Sequence, residues 1–288
     1  MFEIFSRSWE ITKLSFGVIK RDKEMLWFPI LSGIFSLIFL VALLFPTLIL
    51  SAMSGVNNEF GAYAYTLLFL AYVGLAFIAT FFNVCTVYTT KVRFEGGDAT
   101  FMESIKFSLS KIHLIFMWSL VSATVGIILR LIEQAAQRAK GAGKIVLHIL
   151  RSVLGMAWSI ITVFVIPALV YKNLGPIDAI KESVGALKKT WGESLIRHFG
   201  LGLIQFMFMI LGVIVFVMLF ILTASLGSTF LIILALLAII YFVMVFLIFG
   251  VANSVYNTAL YVYANEGKIP TGFTDETIRH AFESKKEK

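Results

Sequence analysis

Four histidines (His113, His148, His198 and His280), a single cysteine, Cys85, and seventeen acidic residues are the groups in this chain able to hold a metal, activate a nucleophile or move a proton. Metal sites and catalytic dyads need such groups at defined separations. The histidines lie far apart, near helix ends or in the tail, and none has a partner at metal-ligand spacing. Cys85 falls inside an apolar run; alone, it forms no intrachain disulfide, packs as a small hydrophobe and gives no redox compartment. The chain has no glycine-rich phosphate loop ending in Gly-Lys-Ser/Thr, no Gly-x-Ser-x-Gly and no His-Glu-x-x-His. Its many Ser, Thr and Tyr hydroxyls have no base beside them, so they imply no nucleophile. An enzyme would have to assemble Asp98, Glu103, Asp178, Glu182 and His198 from separate loops. The expectation is a protein that is not an enzyme, with no metal and no cofactor.

Uncharged polar residues inside apolar runs are the remaining candidates. Asn83 and Asn253 each precede a recurring valine, Val92 and Val262, by nine residues. Such residues hold helices together through hydrogen bonds of about 0.6 to 2 kcal/mol. The functional alternative is that Asn83, Thr86, Asn253, Tyr256 and Asn257 line a polar cavity open to the cytoplasm, contacting a headgroup or a small solute. Small residues spaced for close helix contact occur at Ser32 and Ser36, Ser122 and Gly126, and Gly155 and Ser159.

The elements that carry these residues follow from composition. Hydrophobic residues make up 59% of the 288, charged residues 14%, and mean hydropathy is +0.91; soluble domains carry about 25% charged residues. From Phe199 to Asn265 there is no Lys, Arg, Asp, Glu or His, a run more than twice the roughly 20 residues that cross a bilayer. The reading is an all-α, polytopic bundle of six transmembrane helices, over about 26–53, 62–90, 112–132, 145–171, 199–224 and 229–264. The last run exceeds one crossing, so it tilts or emerges before Tyr256, Tyr261 and Tyr263, which suit an interface. The first apolar run starts near Leu26, too far in and too long for a cleaved signal, and is read as a retained helix.

The net charge of +7 reflects loop lysines and arginines, which argues against nucleic acid as a partner. Nineteen of the 24 basic residues fall on the side of the termini, which places both in the cytoplasm. The other five, Arg130, Arg138, Lys140, Lys144 and Arg151, cluster between the third and fourth spans. The simpler reading is two helices protruding into water, with Arg130 and Arg151 reaching the interface. The alternative is an outward basic patch for anionic headgroups or a partner.

A segment recurs after each even-numbered span: Val92 to Asp98, Val170 to Pro176 and Val262 to Lys268, each with Val five residues before Gly97, Gly175 or Gly267. Two copies continue into Glu103-Ser104 and Glu182-Ser183. This predicts three units of a short cytoplasmic amphipathic helix plus a hairpin, with the glycines as helix C-caps, Thr100 and Glu103 as a capping box, and Pro176 opening a helix. Residues 1–273 form a single transmembrane domain and 274–288 a cytoplasmic tail helix. At 100° per residue the N-terminal helix shows two apolar stripes, Phe2, Phe5, Trp9 and Phe16, and Ile4, Ile11, Leu14 and Val18, one directed to lipid and one to the bundle. Pro176-Ile-Asp178-Ala-Ile-Lys181 matches the mitochondrial-carrier motif, but it occurs once and after an even-numbered span, so the match is read as chance.

Ser8-Trp9, Ser15 and Lys20-Arg21-Asp22-Lys23-Glu24-Met25-Leu26-Trp27-Phe28-Pro29 resemble a prokaryotic integral membrane family known only as a domain of unknown function, over most of the chain. More distantly, the repeat is similar to six-helix membrane domains of some glycerophosphodiesterases and of Yip1-type proteins. The resemblance implies an architecture and a prokaryotic cell membrane, and brings no catalytic residue. The functional expectation is a lipid-interacting or membrane-organising protein, or a docking partner for another protein or a second copy. Lys20, Arg21, Lys188, Lys189 and Arg197 would contact anionic headgroups. The alternative is an uncoupled transporter or channel for a neutral or amphiphilic solute, since no coupling carboxylate is visible.

Overall fold

In the computed structural model the described residues, 2–54, 62–191, 200–223 and 227–274, form helices joined by short turns. Ten α-helices follow in order among them: α1 Phe2–Arg21, α2 Trp27–Ser54, α3 Ala62–Phe94, α4 Phe101–Ser110, α5 Ile112–Arg138, α6 Ala142–Ile161, α7 Val165–Lys172, α8 Pro176–Trp191, α9 Gly200–Thr223 and α10 Ser228–Glu266. A single 3-10 turn, Lys23–Leu26, joins α1 to α2. Six spans are long and apolar enough to cross a membrane, the fourth built from α6 and α7 together. Large apolar side chains point outward along them, including Ile221 at 72% exposure, Phe246 at 68% and Leu37 at 65%. A water-soluble fold would bury these residues; a hydrocarbon solvent removes the reason to. The tail helix expected over 274–288 lies, apart from Thr274, outside the described residues.

The chain divides into two compact units. One comprises 28–88 and 99–188. Its core is Val84, Val87, Leu114, Ile115, Leu169 and Val170, from α3, α5 and α7, with Phe28, Phe82 and Cys85 forming a second cluster beside Phe101 and Ile105. Stacked rings fasten the elements: Phe28 on Phe101 at 5.2 Å, Tyr88 on Phe107 at 4.2 Å, and Trp118 on Trp158 at 5.9 Å. Gly74 leaves room for the Phe39 ring and Gly126 for Tyr72. The other unit comprises 1–27, 89–98 and 189–288. There α9 and α10 pair, and α1 packs along both; Phe16 meets Phe249 edge-on at 5.4 Å, and Phe208 lies 5.8 Å from Phe249.

Two expectations about helices change. The fourth span is broken at Thr162–Phe164: Pro167 has no N–H for the Val163 carbonyl and its ring crowds that turn. The Phe164 N–H donates instead to Ser183 Oγ at 3.1 Å, and Thr162 Oγ1 donates to the Trp158 carbonyl at 2.7 Å. The left-handed residues ending the even-numbered spans are Gly96, Asn173 and Gly267, so only the last coincides with an aligned glycine. Asparagine tolerates that conformation, and the turn closes two residues before Gly175. Tyr256 and Tyr261 are buried within the protein. The α5–α6 connection is a three-residue turn, Ala139 to Gly141, with Gly141 at φ +59°. The capping box of Thr100 with Glu103 is formed, and Pro176 begins α8.

Candidate functional site

Chemistry in this fold concentrates at the span ends, where the short helices α1, α4 and α8 lie. Each turns small residues inward. On α1 the buried face is Ser8, Thr12, Ser15 and Ile19, with Val18 beside it; on α4 it is Ser104 and Ser108; on α8 it is Ala179, Ser183 and Ala186. Spacings of three and four put each set on one helix face, and small side chains let axes approach closely. The two-stripe reading of α1 gave no part to these hydroxyls. Ile11, Leu14 and Phe16 are half-buried flanks and Trp9 is 44% exposed, while the hydroxyl stripe is the fully buried face and Phe16 reaches Phe249 at its edge. Phe2, Ile4 and Phe5 fall outside the described side chains. Thr12 Oγ1 donates to the Ser8 carbonyl at 2.7 Å, so that hydroxyl is satisfied within its own helix.

An ion cluster fixes the α1 end. Arg93, near the C-terminus of α3, donates through two nitrogens to the Asp22 carboxylate, and its Nη2 also lies 2.6 Å from Asp98 Oδ1. The Asp22 side chain is 4% exposed and that of Arg93 19%. A planar guanidinium matches a carboxylate bidentately, so the pair joins the N-terminal signature to the first repeated segment. Sequence reasoning missed it; the signal was one aspartate within the basic run Lys20 to Lys23. Close by, Thr271 Oγ1 donates to the Phe94 carbonyl at 3.2 Å and Phe273 meets Phe94 edge-on at 5.9 Å. In the other unit Lys172 pairs with Glu182, tying the end of α7 to α8. Lys181 pairs with Asp178 one turn away at 3.0 Å, which gives the carrier-like motif a local role in α8.

The sequence-predicted residues are placed as follows. Lys20, Arg21, Lys188 and Lys189 are exposed; Arg197 lies outside the described residues. Of the suggested cavity, Asn83 and Thr86 belong to one unit, and Asn253, Tyr256 and Asn257 to the other. Asn83 and Asn253 are exposed, not buried as their apolar surroundings suggested, and Asn257 is half-buried. Thr86 is buried and donates to the Phe82 carbonyl at 3.2 Å. The Tyr256 hydroxyl is buried beside Phe273 without a hydrogen-bond partner among the described residues. Cys85 is buried with Sγ 3.0 Å from Ser108 Oγ.

At the opposite end of α5 and α6, Arg130, Arg138, Lys140, Lys144 and Arg151 are all exposed. Glu133, unremarked in the sequence, lies 3.4 Å from Arg151 and 3.6 Å from His148. Among the described residues no three His, Cys, Asp or Glu side chains gather closely enough for a metal ion.

Residues 61–273, about three-quarters of the chain, match the model of a family described as a family of unknown function, DUF6159. The chain belongs to that family. The matched region of this DUF6159 protein takes in α3 through α10 and ends at Phe273, while the N-terminal signature precedes it. No curated protein matches the chain.

Proposed function

We propose that this DUF6159 protein is a non-enzymatic membrane protein that engages anionic lipid through its short basic helices and so organises its surroundings in the bilayer. The supporting observation is the two-sidedness of α1. Its hydroxyl face is held on α9 and α10, while Lys13, one turn from the exposed Trp9, and Lys20 and Arg21 in the last turn face outward. Basic residues next to an outward tryptophan suit an interface, and each contributes about 1 kcal/mol near an anionic surface. Lys188 and Lys189 present the same chemistry at the end of α8. In this reading both termini face the cytoplasm of a prokaryotic cell and the basic helices meet the inner leaflet.

The test is titration of fluorescent phosphatidylglycerol into purified protein, comparing the native chain with a variant in which Lys20, Arg21, Lys188 and Lys189 are Gln. Affinity should fall at least about tenfold; unchanged affinity with intact fold removes the proposal.

The broken fourth span favours a second reading, an uncoupled transporter, because discontinuous helices line substrate sites in many transporters. Here the freed Phe164 N–H is taken by Ser183, which weighs toward a structural bend. Solute flux into proteoliposomes that is lost in Asn83→Leu/Asn253→Leu would support the transporter instead.

A further inference from the structure

We propose that the α5–α6 turn is a second anionic-phospholipid site, in the leaflet opposite α4 and α8 of the same unit, and that it lies within the headgroup layer rather than in water. Four observations carry it, all within one compact unit.

The first is height. From Ile112 to Arg138, α5 rises about 39 Å at 1.5 Å per residue. A hydrocarbon core of about 30 Å with roughly 5 to 7 Å of headgroups on each side brings Arg130 to the far edge of the core and Arg138 to the top of the headgroups. The second is interleaving. On α6, between Lys144 and Arg151, the exposed residues are Ile145 at 63%, Val146 at 60%, Ile149 at 58% and Leu150 at 44%. A helix end standing free in water would not display four large aliphatic side chains among its charges. Apolar and basic residues within two turns are what an interface selects, with the apolar groups among upper acyl segments and the cations at phosphate.

The third is charge balance. Glu133 is the acid at this end, and it is occupied by Arg151 and His148. Among the described residues Arg130, Arg138, Lys140 and Lys144 have no carboxylate partner, so the tip carries a net positive charge that a phosphodiester headgroup complements. The fourth is rigidity. The turn has three residues, closed by Gly141 in the left-handed region, and Trp118 stacks on Trp158 lower in the hairpin. The cations are therefore held at fixed height rather than on a mobile linker.

The experiment uses the full chain and two readouts. In the first, a variant with Arg130, Arg138, Lys140 and Lys144 changed to Gln is compared with the native chain and with the Lys20/Arg21/Lys188/Lys189 variant. Each is titrated with phosphatidylglycerol, phosphatidylcholine and inorganic phosphate. The proposal expects phosphatidylglycerol affinity at the tip to fall about tenfold or more in the outer variant while the inner variant keeps it, with phosphate a poor competitor. Full retention by the outer variant, or equal competition by phosphate, overturns it, and neither result bears on the inner helices. In the second, Ile145→Cys in a Cys85→Ala background carries a fluorophore in bilayers. Quenching by brominated acyl chains is expected; quenching by aqueous iodide alone places the tip in water and overturns the proposal.

Discussion

Arg93 is the residue on which the α1 end turns. Arg93→Gln leaves the Asp22 carboxylate buried without its partner, and removing one member of a buried pair costs about 3 kcal/mol or more. A marked fall in Tm in detergent is expected. Asp22→Asn/Arg93→Gln together should cost less than the single Arg93 change, because no unpaired charge remains; an additive loss would show that the pair is not coupled. Gly212 makes a comparable prediction. The ring of Tyr241 occupies the space a Cβ there would need, and its hydroxyl donates to the Phe208 carbonyl at 2.9 Å. Gly212→Ala should displace the ring and cost about 1 to 3 kcal/mol, read as a lowered Tm.

The short helices are attached by small residues, which makes them sensitive to bulk. Ser15→Leu should lift α1 from α9 and α10 and raise its hydrogen exchange, whereas Ser15→Ala should leave exchange unchanged, since the Ser15 hydroxyl is buried without a partner among the described residues. In the fourth span, Ser183→Ala removes the hydroxyl that accepts from the Phe164 N–H, at a cost of about 1 to 3 kcal/mol read as a lowered Tm. Much of this level was legible beforehand: the span positions, the capping box at Thr100 and Pro176 at the start of α8 all follow from local chemistry. The hydroxyl stripe of α1 was not, because a wheel of apolar residues highlights large side chains, while close packing in this bundle is governed by small ones. The break at Thr162 was signalled by Pro167, but the partner that makes it tolerable, Ser183, is nineteen residues away and no local rule connects them.

Hydrophobicity without charge dictated the architecture, and the outward-facing Ile, Leu and Phe of α2, α6, α9 and α10 agree with it. The cavity residues were harder to read. Asn83 and Asn253 align by repeat spacing, yet spacing gives neither exposure nor the unit to which each belongs. Membership of DUF6159 fixes a family and leaves the activity to experiment. The most direct test of the six-crossing account introduces single cysteines at Lys106, Lys140, Lys188 and Lys268 in a Cys85→Ala background and labels sealed membranes with an impermeant maleimide. The account predicts that position 140 reacts from one side and positions 106, 188 and 268 only from the other; position 140 reacting from the same side as position 106 would contradict it, since α5 would then not cross the bilayer.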